Sequence, residues 1–175
     1  MASTKLITMK KIIFLILTLL CLNIYAQQNE PVWHTDANKA INLSLQTGKP
    51  MFLFFTGSDW CIWCKRLVAE VFDKKEFKNW AKKNIILLEV DFPKRSPQSK
   101  ELKAQNSNLQ KTFQGLIRGY PTGVFAQPVL KDKDVQFSVI GSETTGFSLG
   151  YVRGGAKTWI LEANKRLKTK KETTK

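Results

Sequence analysis

Two cysteines three residues apart, Cys61 and Cys64, stand in the stretch TGSDWCIWCKRL, each directly after a tryptophan. Such a pair can be half of a metal clip, a structural staple or a reactive dithiol. A structural zinc needs four ligands, usually two cysteine or histidine pairs. Beyond Cys61 and Cys64 the chain holds only Cys21, in an apolar leader, and one distant histidine, His34, so no metal is expected. His34, standing alone, reads as a surface or packing residue. A structural disulfide gains little here, because so short a loop removes little entropy from the unfolded chain. Reversible thiol–disulfide exchange is the chemistry that suits the pair.

The elements around the cysteines explain how they are activated. MFLFF, from Met51 to Phe55, is a continuous apolar run of the kind found in a strand buried on both faces. It leads straight into TGSDW and the cysteines, which open a helix through Leu67, Val68 and Val71. Cys61 therefore lies at a helix start, where first-turn N–H groups and the helix dipole stabilise a thiolate. A lowered thiol pKa makes Cys61 the nucleophile. Cys64, one turn further, faces the same side and can attack the mixed disulfide that Cys61 forms. Lys65 and Arg66 follow at once, either adding positive potential or standing as solvated side chains.

The remaining elements follow from pattern. Asp36 is placed to cap a helix carrying Ala37, Ala40, Ile41 and Leu45, stopped by Gly48-Lys49-Pro50. Asp73 and Glu76 have the spacing of a capping box for a short helix presenting Phe77, Trp80 and Ala81. IILLEV (Ile85 to Val90) reads as a second buried strand, and a polar loop then leads into a helix ending near Gly115. GYPTGVFAQ leads into a third strand, and VQFSVI (Val135 to Ile140) is a fourth after a turn at Lys131 to Asp134. A last helix carries Ala156, Trp159, Ile160, Ala163 and Leu167 on one face. Helices alternating with buried strands predict an α/β fold, a central mixed β-sheet flanked by helices on both faces.

Lys10 and Lys11, an apolar run from Ile12 to Leu22 and small Ala26 describe a cleaved signal peptide over residues 1–26. The run is short for a bilayer crossing, so no stable membrane span is expected. Removing 26 of 175 residues leaves 149, enough for one domain, here 27–168, with a basic flexible tail at 169–175. Formal charge is +14 over the chain; without the leader, 25 basic face 14 acidic side chains. The lysines are scattered singly along amphipathic segments, as on a solvated basic surface, and an exported protein would not meet nucleic acid.

DWCIWCKRL resembles the active-site motif of the thioredoxin superfamily, and FQGLIRGYPTG (Phe113 to Gly123) is similar to its cis-proline segment. GYVRGGAKTWILEANKRL resembles the family's closing glycine turn and helix, so the likeness runs from about Val32 to Leu167. The nearest subgroup is the small exported thioredoxin-like proteins of bacterial envelopes. The resemblance implies a thioredoxin-like fold and a thiol–disulfide oxidoreductase with no bound cofactor, in the periplasm or cell envelope. Cys61 would attack and Cys64 resolve, while Pro121, if cis, would leave the Tyr120 backbone free for an extended substrate segment. Trp60 would shape the contact surface, or simply pack. Partners would be cysteine-containing protein substrates and an envelope thiol-redox protein that recharges the dithiol.

Two features depart from that pattern. Thioredoxins carry a buried acid six residues before the first cysteine, where this chain has Phe55; Glu89 or Asp91 could take its place as proton acceptor, the alternative being ordinary strand-end acids. The dipeptide between the cysteines is Ile62-Trp63, without the histidine common in strong oxidants, which favours the reductase or isomerase direction. A redox-independent polypeptide-binding or chaperone-like module on the same scaffold is the alternative function, and docking to anionic lipid through the basic tail is a third.

Overall fold

The computed structural model describes residues 30–132 and 134–172. The expected signal segment lies outside them. Five strands are described: β1 (Trp33–His34), β2 (Met51–Thr56), β3 (Ile86–Asp91), β4 (Thr122–Lys131) and β5 (Asp134–Ile140). With them come α1 (Ala37–Thr47), α2 (Ile62–Leu67), α3 (Lys75–Asn84), α4 (Lys100–Thr112) and α5 (Gly155–Glu172). The sheet order is β1-β3-β2-β4-β5. β3 runs parallel to β1 and β2, while β4 is antiparallel to β2 and β5.

β2 is central, and every residue in it is buried, which accounts for its unbroken apolar run. Its alternate side chains feed two separate cores. Phe52 and Phe54 join Leu87 and Phe125 beneath Leu67 of α2, Phe77 and Ala81 of α3 and Trp159 of α5. Met51, Leu53 and Phe55 join Leu88, Val90 and Val124 against Ala37 and Ala40 of α1 and Leu109 of α4. Helices thus cover both faces of a mixed sheet, as the sequence predicts.

Local chemistry sets the element ends. Asp36 caps α1, its carboxylate accepting from the N–H groups of Asn38 and Lys39. Gly48 ends it at φ 69°, a left-handed turn that glycine adopts without a steric penalty. The expected capping box at Asp73 does not form. Lys74 holds the cap position of α3 with no side-chain bond, because α2 runs on as a π-helical turn over Val68–Phe72. The Asp73 N–H donates to Val68 O and Val71 O, so Asp73 closes that turn and does not open α3. α5 continues past Leu167 to Glu172, into the segment expected as a tail. Among the described residues no helix is long and apolar enough to cross a membrane.

Candidate active site

β2 ends in a tight turn, where Gly57 O accepts from the Trp60 and Cys61 N–H groups at 3.2 and 2.8 Å. Gly57 is required there, since a β-carbon would meet the Trp60 ring at 2.3 Å. The turn delivers Cys61 to the N-cap of α2, in extended geometry at φ −84° and ψ 104°. The Cys64 N–H donates to Cys61 Sγ at 3.1 Å, so the sulfur takes the place of a capping oxygen. A negative charge developing on Cys61 is therefore met by a backbone donor and the positive end of the helix.

Cys61 and Cys64 form a disulfide across a Cα–Cα distance of 5.2 Å. Both residues are buried, Cys61 at 6% and Cys64 at 1% exposure. Around them the surface is unusually apolar, with Trp60 38%, Ile62 71% and Trp63 48% exposed.

Two aromatic groups border the dithiol. On one side Trp60 lies 5.8 Å from the Tyr120 ring, and its indole N–H donates to Phe92 O at 2.8 Å. Tyr120 stacks on Phe92 at 5.7 Å, and its hydroxyl accepts from Gln110 Nε2 at 2.7 Å. Burial pushes the Tyr120 phenol up, and the Asp91 charge adds to this while the Gln110 bond opposes it. The Tyr120–Pro121 peptide bond is cis. On the other side Trp63 contacts Tyr151 at 5.3 Å, and the Arg66 guanidinium lies within 5.4 Å of both ring centres. Glu70 locks this group, accepting from Arg66 Nε at 2.6 Å and from the Tyr151 hydroxyl at 2.5 Å. These bonds hold the Glu70 carboxyl below its usual range, the Tyr151 bond first and Arg66 next. Arg66 is therefore neutralised locally, and Lys65 donates to Asp59 O at 3.0 Å.

The two candidate proton acceptors lie in different surroundings. Asp91 accepts from the Ser58 N–H at 2.8 Å and the Ser58 hydroxyl at 2.6 Å, which ties the turn before the dithiol to β3. Glu89, level with Phe54 in the β2–β3 register, is half-buried. Burial raises its pKa, and the Asp91 charge adds to the rise. Phe55 packs in the opposite core, its ring tilted against that of Phe113 at 6.0 Å, so that position offers no acid. His34 lies in β1, and burial lowers its pKa, followed by the charge of Lys39.

Sequence reasoning missed Asp59. Its carboxylate accepts from the N–H groups of Lys94, Arg95 and Ser96 at 3.0, 2.6 and 3.0 Å. These bonds hold its pKa below the ordinary value, that from Lys94 most of all. Asp59 thus staples the dithiol turn to the loop after β3, as Asp91 ties it to the end of β3. The one signal in the sequence is an acid two residues before the first cysteine. A separate open apolar groove of about 410 Å³ lies beside Phe113, Leu116, Phe137 and Val139, and none of the expected site residues lines it.

A Cys-x-x-Cys pair at a strand–helix junction, set on a mixed sheet in a chain with a cis Tyr120–Pro121 bond, defines a thioredoxin-type fold and site. The chain belongs to the thioredoxin-like family, which matches residues 32–128. It is similar to the disulfide bond reductase DsbH of Chlamydia pneumoniae, with 36% identity over 105 residues, 57% of this chain and 61% of that protein. The thioredoxin-related protein DsbJ of the same organism is 30% identical over 121 residues, 68% of this chain and 33% of that protein. The chain thus spans less than two thirds of the length of either relative. A solved DsbH oxidoreductase structure superposes with a TM-score of 0.66 at 28% identity, covering 79% of this chain and 85% of that one. A thioredoxin from Thermus thermophilus, at 14% identity and TM-score 0.51 over 77% of this chain and 85% of its own, shares the fold.

Proposed function

We propose that the protein is a thiol–disulfide oxidoreductase that exchanges disulfides with protein cysteines, in the reductase or isomerase direction. The observation that carries this reading is Cys61 at the cap of α2, its sulfur accepting the Cys64 N–H, beside a partner cysteine that already forms the disulfide. In the reducing direction the Cys61 thiolate attacks a substrate disulfide. One substrate sulfur leaves as a thiolate, and Cys61 is left in a mixed disulfide. Cys64 loses its proton and attacks Cys61 Sγ, which releases the second substrate sulfur and forms the Cys61–Cys64 bond. Two electrons pass to the substrate sulfurs, two protons follow, and no cofactor takes part.

The surrounding residues take roles that their geometry supports. Trp60, Tyr120 and Pro121 form the substrate-contact side. Glu89 is the better proton acceptor of the two candidates, because Asp91 spends both oxygens on Ser58 and burial holds Glu89 toward the protonated form. The leader at 1–26, the domain at 27–168 and the disulfide-reductase name of one relative support an exported protein in the periplasm or cell envelope. Its partners there are cysteine-containing proteins and a thiol-redox donor.

The test is to titrate the Cys61/Cys64 couple against dithiothreitol buffers and to trap substrates with Cys64→Ser. A potential near −270 mV indicates a reductant, and one near −180 mV or above an isomerase or oxidant. Cys64→Ser accumulates mixed disulfides through Cys61, and Cys61→Ser accumulates none. Function that survives both substitutions would replace this reading with the polypeptide-binding one.

A further inference from the structure

The two exposed tryptophans at the dithiol each carry a cation, and among the described residues only one of those cations is ion-paired. Arg66 over Trp63 is paired with Glu70 at 2.6 Å. Lys94 holds its ammonium 4.4 Å from the centre of the Trp60 ring, and among the described residues it has no ion-pair partner. Asp59 and Asp91 accept from the 94–96 N–H groups and from Ser58, and neither forms an ion pair with the Lys94 ammonium. Lys94 is also held in place. Its own N–H is bound to Asp59 at 3.0 Å, and the ring beneath it is anchored through Phe92 O and seated on Gly57.

An ammonium on an aromatic face gives up water on that side while keeping its full charge. Trp60 directly precedes Cys61, so this ammonium, which has no ion-pair partner among the described residues, is carried on the residue next to the reacting cysteine. The basic excess of the chain, 25 basic against 14 acidic side chains without the leader, favours acidic partners in general. We propose that Lys94, seated on Trp60, is a specificity-determining residue that selects substrates with a carboxylate beside the target cysteine. The proposal rests on the oxidoreductase reading.

The experiment uses the full chain, reduced with dithiothreitol and desalted. Single-turnover rates are measured with two peptides whose cysteine carries mercaptoethanol in disulfide linkage, with Glu in one and Gln in the other beside that cysteine. The ratio of the two rates is read within each variant, so a loss of folded protein cancels. The wild type should favour the Glu peptide about fivefold at low salt, the size of an exposed ion pair. The preference should fade toward 1 M salt, where the screening length is about 3 Å. Lys94→Arg keeps the preference, Lys94→Gln abolishes it and Lys94→Glu reverses it. Equal wild-type rates, or a preference that survives Lys94→Gln, overturn the proposal. Neutral hydroxyethyl disulfide separates the two readings: if the wild type reduces it but shows no preference, only the role of Lys94 fails. If the wild type reduces no disulfide, the oxidoreductase reading fails and takes this inference with it.

Discussion

Asp59, two residues before Cys61, and Glu89, in β3, are carboxylates whose environments push them in opposite directions. Three N–H donors hold Asp59 below its ordinary value of 3.8, so its charge stabilises the fold above that pH and the benefit is lost as pH falls through the lower folded value. Asp59→Asn should lower the melting temperature at pH 7, and the gap should close in melts taken below about pH 3.8. A gap that stays constant down to acid pH would show that the charge is irrelevant. Burial raises Glu89 above 4.5, so its protonated form favours folding and that contribution is lost as pH rises through the raised value. Glu89→Gln should therefore melt higher than wild type at pH 8 and equal to it near pH 4, while slowing release of the mixed disulfide if Glu89 takes the Cys64 proton. The cysteines were legible because their spacing and the strand before them are local. Asp59 was not, since its partners lie 35 to 37 residues further along the chain.

At the level of elements, the sequence reads well where one short-range cause acts alone. The α1 cap, the buried β2 run and the apolar face of α5 each have such a cause, and each is found as expected. The Asp73 box has the right residues and fails, because a π-helical turn carries α2 past its expected end. β1 is two residues long, too short to show any periodicity, although Trp33 packs against Phe52, Phe54, Phe72 and Phe77. The expected α5 face centres on Trp159, fully buried, edge-on to Phe52, Phe72 and Phe77, with its N–H donating to Gly150 O at 3.1 Å. Trp159→Ala should cost about 3–5 kcal/mol in denaturant unfolding, through the lost burial and the cavity left behind. Trp159→Phe should recover much of that. A cost below about 1 kcal/mol for the alanine variant would mean that α5 is not anchored by this residue.

For the whole molecule, the dithiol and the fold are thermodynamically linked. The Cys61–Cys64 loop is too short for its closure entropy to contribute much, so any large stability difference between oxidised and reduced chains reflects how the folded site treats each state. A cycle through the two unfolded chains makes this explicit: the lower the folded couple's potential, the more the disulfide form is favoured by folding. About 30 mV corresponds to 1.4 kcal/mol for this two-electron couple. In the folded site the Cys64 N–H and the α2 terminus favour a Cys61 thiolate, which stabilises the reduced form. Burial of both cysteines disfavours a charge there and works the other way. No histidine lies between the cysteines to assist the thiolate, so burial should prevail and the oxidised chain should melt above the reduced chain. Melts of both forms at pH 7, with the reduced sample held in excess dithiothreitol, read the sign directly. A reduced form that melts higher would place the protein with the oxidants, whose reduced state is the stabilised one. The reductase direction would then be wrong, although the exchange chemistry of Cys61 and Cys64 would stand.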